Sequence, residues 1–336
     1  MDKIKSLGER QKEYESIFNQ KLIRRMFTII RIDGEKFSSY TSNLAKPFDK
    51  GLVDDMIETT KFLCQNIQNC KLGYVQSDEI SLILTDFDDI YIEPWFDNKV
   101  QKMVSISASM TTGKFNQLGT FRHIQELGSY YFNQASAATQ IIDDFSKLKQ
   151  ANFDSRIWQL PDFTEVGNYL RWRQQDATRN SISSCAQALY PHKQLLGKDG
   201  SAKQEMIFRE GEKLKTKLIN CGYIPEPGYT SIRGADPFNK FTNKENFNWN
   251  DIPPHLKRGT TISKQSVKKY FPESTYEKDK RPDEIKLNDG WFCEMPTPGE
   301  FNYYKMVEEW TATSTDYSSG FTWLVSVLKP KQYDTL

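Results

Sequence analysis

Three carboxylates occupy positions where a chain more often turns than reacts. Asp33 ends the run Phe27-Thr28-Ile29-Ile30-Arg31-Ile32 and is followed by Gly34, while Asp78-Glu79 interrupts "KLGYVQSDEISLILTD", residues 71–86. Each motif alone has a plain structural explanation, an Asp-Gly turn after a strand or acidic residues decorating a hairpin bend. If Asp33 and Asp78 meet, two carboxylates at close range cannot both stay ionised and unpaired, and a cation between them relieves the repulsion. Hard oxygen ligands suit Mg²⁺ rather than zinc. Two such ions can clamp the attacking and leaving oxygens of a displacement at phosphorus.

Whether the carboxylates meet depends on the elements that carry them. Alternation over 27–33 puts Thr28, Ile30 and Ile32 on one face and Ile29, Arg31 and Asp33 on the other, which predicts a strand with a polar tip. Leu52, Met56, Thr60, Leu63 and Ile67 recur at helical spacing. Residues 71–86 read as a hairpin bent at Ser77-Asp78-Glu79. A second helical stripe carries Val100, Met103, Val104, Ser107 and Thr111, and "FDSRIWQL" at 153–160 predicts another strand. The order βαββ, α, β is the split βαβ, ferredoxin-like arrangement, expected to carry helices on one face of its sheet. In that topology the end of the first strand lies beside the bend of the central hairpin, so Asp33 and Asp78 converge.

The rest of the chain bounds the class. Its 336 residues, 38% hydrophobic and 26% charged, fit one large or two linked globular domains. No apolar run reaches the length of a membrane span, so no membrane partner is expected. The first fifteen residues mix acidic and basic side chains without an apolar segment, which argues against a secretory or transit signal. Five cysteines without a CxxC pair point to reduced thiols, no structural zinc and a cytoplasmic setting, with an organelle left open. The net charge of +1 decides nothing about nucleic acid, since a local basic patch would suffice. Residues 165–190 read as a helix bearing Arg171, Trp172, Arg173, Asp176 and Arg179; 209–248 as a long loop or excursion; 264–290 as exposed and partly mobile. "KLKTK" at 213–217 reads as a solvated helix face, and Trp291, Phe292, Tyr303 and Tyr304 as the packing of a C-terminal extension.

In this order, "IIRIDGEKFSSYT", "KPFD", "YVQSDEISLIL", "KMVSISAS", "FDSR", "WRQQDATRNSI", "HKQLLGK" and "LKRGT" resemble the tRNA-His guanylyltransferase superfamily. "LGERQKEYE" and "QQDATRNSI" are similar to its Thg1-like branch, the 3′–5′ RNA polymerases. The likeness spans roughly 1–112, 153–208 and 246–262. It implies an α+β, polymerase palm-like (ferredoxin-like βαββαβ) catalytic domain over 1–160, with 113–152 as a candidate insertion. A helical, tRNA-binding part over 161–262 would follow, with 209–246 as a second candidate insertion, and then an extension over 263–336 with no assigned role.

The resemblance also implies a nucleotidyltransferase that works backwards. The 3′-hydroxyl of an incoming nucleoside triphosphate attacks the 5′ phosphate of an RNA, after a 5′-monophosphate has been adenylylated with ATP. Asp33, Asp78 and the Gly34 carbonyl would hold two Mg²⁺ ions, with Glu79 as a secondary catalytic member. Asp33, Gly34, Glu35, Lys36, Phe37, Ser38, Ser77 and Asp78 would line ATP, GTP or another triphosphate, Gly34 because no Cβ blocks its approach. Lys46, Lys102, Ser105, Arg156 and Arg173 would contact phosphates or the RNA end. The family often has His where Ser38 stands and paired arginines where Asn98 and Lys99 stand. His192 is expected in a structural or RNA-contact role. Family members of this kind form tetramers, so a homo-oligomer binding tRNA is expected.

Thr178-Arg179-Asn180-Ser181 stands where eukaryotic tRNA-His enzymes carry a His-Ile-Asn-Asn signature. That departure favours template-dependent 5′-end repair of tRNA over non-templated G addition to tRNA-His. Other palm enzymes, such as a nucleotidyl cyclase or a 5′–3′ polymerase, would need the same carboxylates, and a tRNA-binding protein without catalysis would not.

Overall fold

The computed structural model describes residues 5–131, 148–223, 247–270, 284–286, 292–294 and 304–314. Alternating apolar residues form β1 (Phe27–Gly34), and Asp49, accepting from Leu52 N–H at 2.8 Å, caps α3 (Lys50–Asn66). A short helix, α2 (Phe37–Tyr40), lies between them, and α1 (Leu7–Ser16) precedes β1, capped reciprocally by Ser6 and Glu9. The hairpin follows as β2 (Cys70–Gln76) and β3 (Glu79–Leu84), then α4 (Val100–Tyr131) and β4 (Phe153–Leu160). The expected βαββαβ order and its strand ranges are therefore present. The second helix does not stop near residue 111 but continues through the candidate insertion to Tyr131.

These strands pair antiparallel in the order β4-β1-β3-β2. Period-two alternation divides β1 between two environments. Ile30 and Ile32 face α3 and α4 with Ile80 and Leu82 of β3, all fully buried beside Met56, Leu63, Met103 and Phe115. Ser107 of α4 meets Ser155 of β4 at 2.8 Å across that layer.

The opposite face is covered too, which the expectation of helices on one face did not include. α5 (Phe163–Leu189), capped by Asp162, lays Val166, Tyr169 and Leu170 over Phe27, Ile29, Leu72 and Ile83. The βαββαβ pattern fixes only the helices between its strands; α5 comes after the last strand and is free to cross to the other side.

The far half of α5 nucleates a second core. Ile182, Cys185 and Ala186 pack with Leu195 of α6 (His192–Leu195), Ile207 of α7 (Gly200–Arg209), and Leu214 and Leu218 of α8 (Gly211–Asn220). Residues 211–220 are thus a helix and not loop, and "KLKTK" contributes the fully buried Leu214 rather than only a solvated face. The remainder of the excursion, 224–246, lies outside the described residues. α9 (Pro254–Arg258) leads to β5 (Thr260–Tyr270), which starts beside β2.

Two compact units are present, one running to Ile262 and resuming at Ala312, and one from Ser263 to Thr311. In the second, β6 (Glu284–Lys286) pairs antiparallel with β7 (Phe292–Glu294), and β8 (Tyr304–Ser314) begins. The stretch read as exposed and partly mobile therefore contains strand at 264–270 and 284–286; Trp291 and Tyr303 and the side chains of Phe292 and Tyr304 lie outside the described residues. Among the described residues no helix is long and apolar enough to cross a membrane.

Candidate active site

The face under α5 ends in charge. Glu79, Asp33 and Asp154 stand in register across β3, β1 and β4, and the row behind them is Ser81, Arg31 and Arg156. Asp33 thus has a carboxylate on each neighbouring strand and an arginine two residues behind on two of the three. Its Oδ2 lies 3.6 Å from Arg31 and 3.9 Å from Arg156, longer than hydrogen-bonded pairs, so its charge is only loosely compensated.

Asp78 approaches from the hairpin. Ser77-Asp78 is a two-residue loop closed by Gln76 opposite Glu79, and Ser77 takes φ +50, a region that non-glycine residues enter at a cost. Burial holds Asp78 above the ordinary carboxylate range, and the Asp33 charge adds to it, against its own backbone N–H, the Ser77 side chain and Arg31. Asp33 pairs with Glu79, the residue that follows Asp78, so the two aspartates lie at the same end of the sheet.

Glu79 is differently placed. It is 4% exposed, and each oxygen faces an arginine: Oε2 lies 2.8 Å from Arg31, and Oε1 lies 2.8 Å from Nε of Arg173 in an ion pair without hydrogen-bond alignment. Burial raises its pKa while Arg173 and Arg31 oppose that rise. Arg173, from α5, is itself 2% exposed, also pairs with Asp176, and lies 4.2 Å beneath the Trp172 ring. A guanidinium so enclosed has no face left for a phosphate, so its expected role as a phosphate contact gives way to one inside the protein.

The remaining expected residues divide by exposure. Gly34 ends β1 under the Phe37 ring, whose nearest atom would lie 2.3 Å from a Cβ, so the aromatic ring gives this position a second reason to be glycine. Phe37 is buried against Tyr40, Phe115 and Phe153, which leaves its backbone rather than its ring for a ligand. Glu35, Lys36 and Ser38 are exposed, and Lys36 takes φ +51 at the turn into α2. Lys102 and Ser105 sit on the exposed side of α4, Lys102 at 5.8 Å over the Phe96 ring.

Beside the hairpin opens a cleft of about 200 Å³, lined by Lys46, Pro47, Ser77, Asn180 and Thr260 among others. Lys46 donates to the Thr41 carbonyl at 3.2 Å and keeps an exposed ammonium. Gly259, at φ +80, lets the chain pass over β2, where a Cβ would come within 2.5 Å of the Tyr74 hydroxyl. Of the substituted signature, Asn180 lines the cleft, Ser181 accepts from the Trp249 indole at 3.2 Å, and Arg179 pairs with Asp176 at 3.0 Å. His192 is exposed.

Among the described residues no three His, Cys, Asp or Glu side chains cluster to hold a metal. Two carboxylates and a carbonyl are nonetheless a suitable set for Mg²⁺, which keeps water and takes substrate phosphate for its other positions. The mutual repulsion of Asp33 and Asp78 is what such a cation would relieve. Sequence reasoning missed Arg31 and Asp154 as members of the site. Alternation does place Arg31 on the face of Asp33; the pairing that brings in Asp154 is not visible in any local pattern.

A family model described as Thg1, tRNAHis guanylyltransferase, matches residues 8–161. The chain is similar to a bacterial tRNA(His) guanylyltransferase (Thg1)-like protein solved in complex with ATP, at 39% identity and a TM-score of 0.56, over 77% of this chain and 87% of that one. It is also similar to a bacterial protein of the same description in complex with GTP, at 30% identity and a TM-score of 0.57, over 96% and 99%. A probable tRNA(His) guanylyltransferase of Dictyostelium discoideum is 23% identical over 278 residues, 80% of this chain and 88% of that one.

Proposed function

The chain belongs to the tRNAHis guanylyltransferase (Thg1) family of nucleotidyltransferases, and we propose that within it the activity is template-dependent 3′–5′ addition of nucleotides to the 5′ end of tRNA. The observation that supports this most is the convergence of Asp33 and Asp78 beside a cleft that carries Lys46 and Asn180. The relatives solved with ATP and GTP fit the same substrates here.

Asp33, Asp78 and the Gly34 carbonyl would hold two Mg²⁺ ions, which supply charge neutralisation of the phosphates and activation of the attacking hydroxyl. The chain's own residues do the rest. Lys46 would face phosphate from the cleft, and Arg156, exposed beside Asp33, would meet the RNA 5′ phosphate. The 3′-hydroxyl of the nucleotide attacks that phosphate, and pyrophosphate leaves from a triphosphate end or AMP from an adenylylated one. Thr178-Arg179-Asn180-Ser181 offers no imidazole at the signature, so base choice falls to pairing with the opposite strand. We place the enzyme in the cytoplasm as a homo-oligomer.

The test compares kcat/KM for tRNAs lacking one 5′ nucleotide across all four template bases, with intact tRNA-His alongside. A correctly paired nucleotide should be favoured at least tenfold, about 1.4 kcal/mol of transition-state binding. Equal efficiency with and without pairing, or a preference for G whatever stands opposite, would overturn templated repair and restore G addition.

A further inference from the structure

Arg173 is among the largest fully buried side chains of the described residues, and a buried cation is tolerated only when its partners are fixed. Its partners are Glu79 through Nε and Asp176 through a terminal nitrogen, and the Trp172 ring covers it. Glu79 then passes the contact on. Its other oxygen holds Arg31 at 2.8 Å, and the same terminal nitrogen of Arg31 that reaches Glu79 stands 3.6 Å from Asp33 Oδ2. Arg31 is thus shared between a carboxylate that binds it tightly and one that it only approaches.

We propose that Arg173 is a positioning residue for the metal-binding carboxylate Asp33, acting through Glu79 and Arg31. With Arg173 in place, Glu79 is anchored to α5 and keeps Arg31 drawn back from Asp33. Without it, Glu79 is free to turn, and Arg31 can close fully on Asp33 and compete with a cation for the same oxygen. The bond also ties chemistry to the cleft, because α5 carries both Arg173 and, two turns on, the cleft residue Asn180. A lysine cannot stand in: one ammonium on an unbranched stem does not reproduce the forked contact to Glu79 and Asp176.

This inference rests on the metal reading of Asp33, and the experiment separates the two. Mn²⁺ binding to the full chain is followed by electron paramagnetic resonance, with thermal unfolding, kcat and KM measured on the same preparations. Arg173→Met should weaken Mn²⁺ binding roughly tenfold, the size of effect seen when a residue supporting a metal ligand is removed. It should lower kcat with little change in KM for the triphosphate, and Arg173→Lys should restore neither. Because a lone buried Glu79 could unfold the chain, Glu79→Gln with Arg173→Met supplies a charge-balanced variant. If Arg173 acts through Glu79, that double variant binds Mn²⁺ no more weakly than Glu79→Gln alone. Unchanged Mn²⁺ affinity with a lowered melting temperature, or losses that add in the double variant, would overturn the proposal. Asp33→Asn is the reference: a response there but not at Arg173 refutes this inference alone, and no response at either site refutes the metal reading as well.

Discussion

On the face covered by α3 and α4, β1 presents Ile30 and Ile32 to an apolar layer, and a half-buried charge pair, Asp55 with Arg122 at 2.7 Å, lies between the helices. On the face covered by α5, the same strand presents Ile29, Arg31 and Asp33, and the apolar layer gives way within two residues to a buried arginine–glutamate cluster. One strand therefore serves as both core and site because its side chains alternate. The first face stabilises through area removed from water, worth about 25 cal/mol per Å². The second contributes little net stability, since desolvation offsets most of the attraction within a buried ion pair, yet it is costly to break. Core and chemistry should thus respond to mutation separately.

The sharpest break between them is at the carboxylates. Asp33→Ala and Asp78→Ala should each lower nucleotide addition by about a thousandfold, ~4 kcal/mol, with the melting temperature near that of the unmodified chain. Single-turnover kinetics with 5′-triphosphorylated RNA measure the loss, and near-normal rates in either variant would end the two-metal assignment. The converse is Leu82→Ala on the helix-pair face, which should cost about 2–5 kcal/mol of stability by urea unfolding. Activity per folded molecule should hardly change; a parallel loss would mean that the faces are coupled after all.

A smaller effect tests the charge between the helices. Burial pushes Asp55 up to about 6, against Arg122 and with Asp54 and Asp49 adding to the rise. The folded state then holds this proton more tightly than the unfolded chain, so stability falls as pH rises from roughly 4 to 6 and is level above that window. Asp55→Asn should remove the decline, about 1–2 kcal/mol once partial solvent access is allowed for. Chemical unfolding at several pH values reads it directly, and a decline that persists in the variant belongs to another group.

The strands were legible because alternation is a local property: residues 27–33, the hairpin and 153–160 each carry their own pattern. The convergence of Asp33 and Asp78 followed from topology, since antiparallel pairing of β1 with β3 leaves one way for the tip and the bend to meet. Pairings set by a helix crossing to the other face were not legible. Nothing in the sequence links Arg173 to Glu79, and arginine in a polar helix reads as a surface residue until α5 is seen to bury it. The helix at 211–220 is masked in the sequence by the Gly- and Pro-rich stretch that follows it, whose composition outweighs ten residues of helical spacing. The approach of a ligand is one reason for glycine at 34, and the ring of Phe37, three residues on, is a second that no local pattern shows.

The Ser77-Asp78 loop has no slack, with Gln76 directly opposite Glu79 and Ser77 already at positive φ. Its length therefore works as a reading frame for the sheet. One codon gained or lost there, with the loop held at two residues, would slip β3 by one residue against β1 and exchange Glu79 and Ser81 for Ile80 and Leu82 in their facing. Carboxylate would be driven under α3 and α4, and isoleucine against Arg173. A lineage descending from this protein can vary Ser77 among residues that tolerate the turn while Asp78 stays, and a change of hairpin length must either be absorbed in the loop itself or come in steps of two.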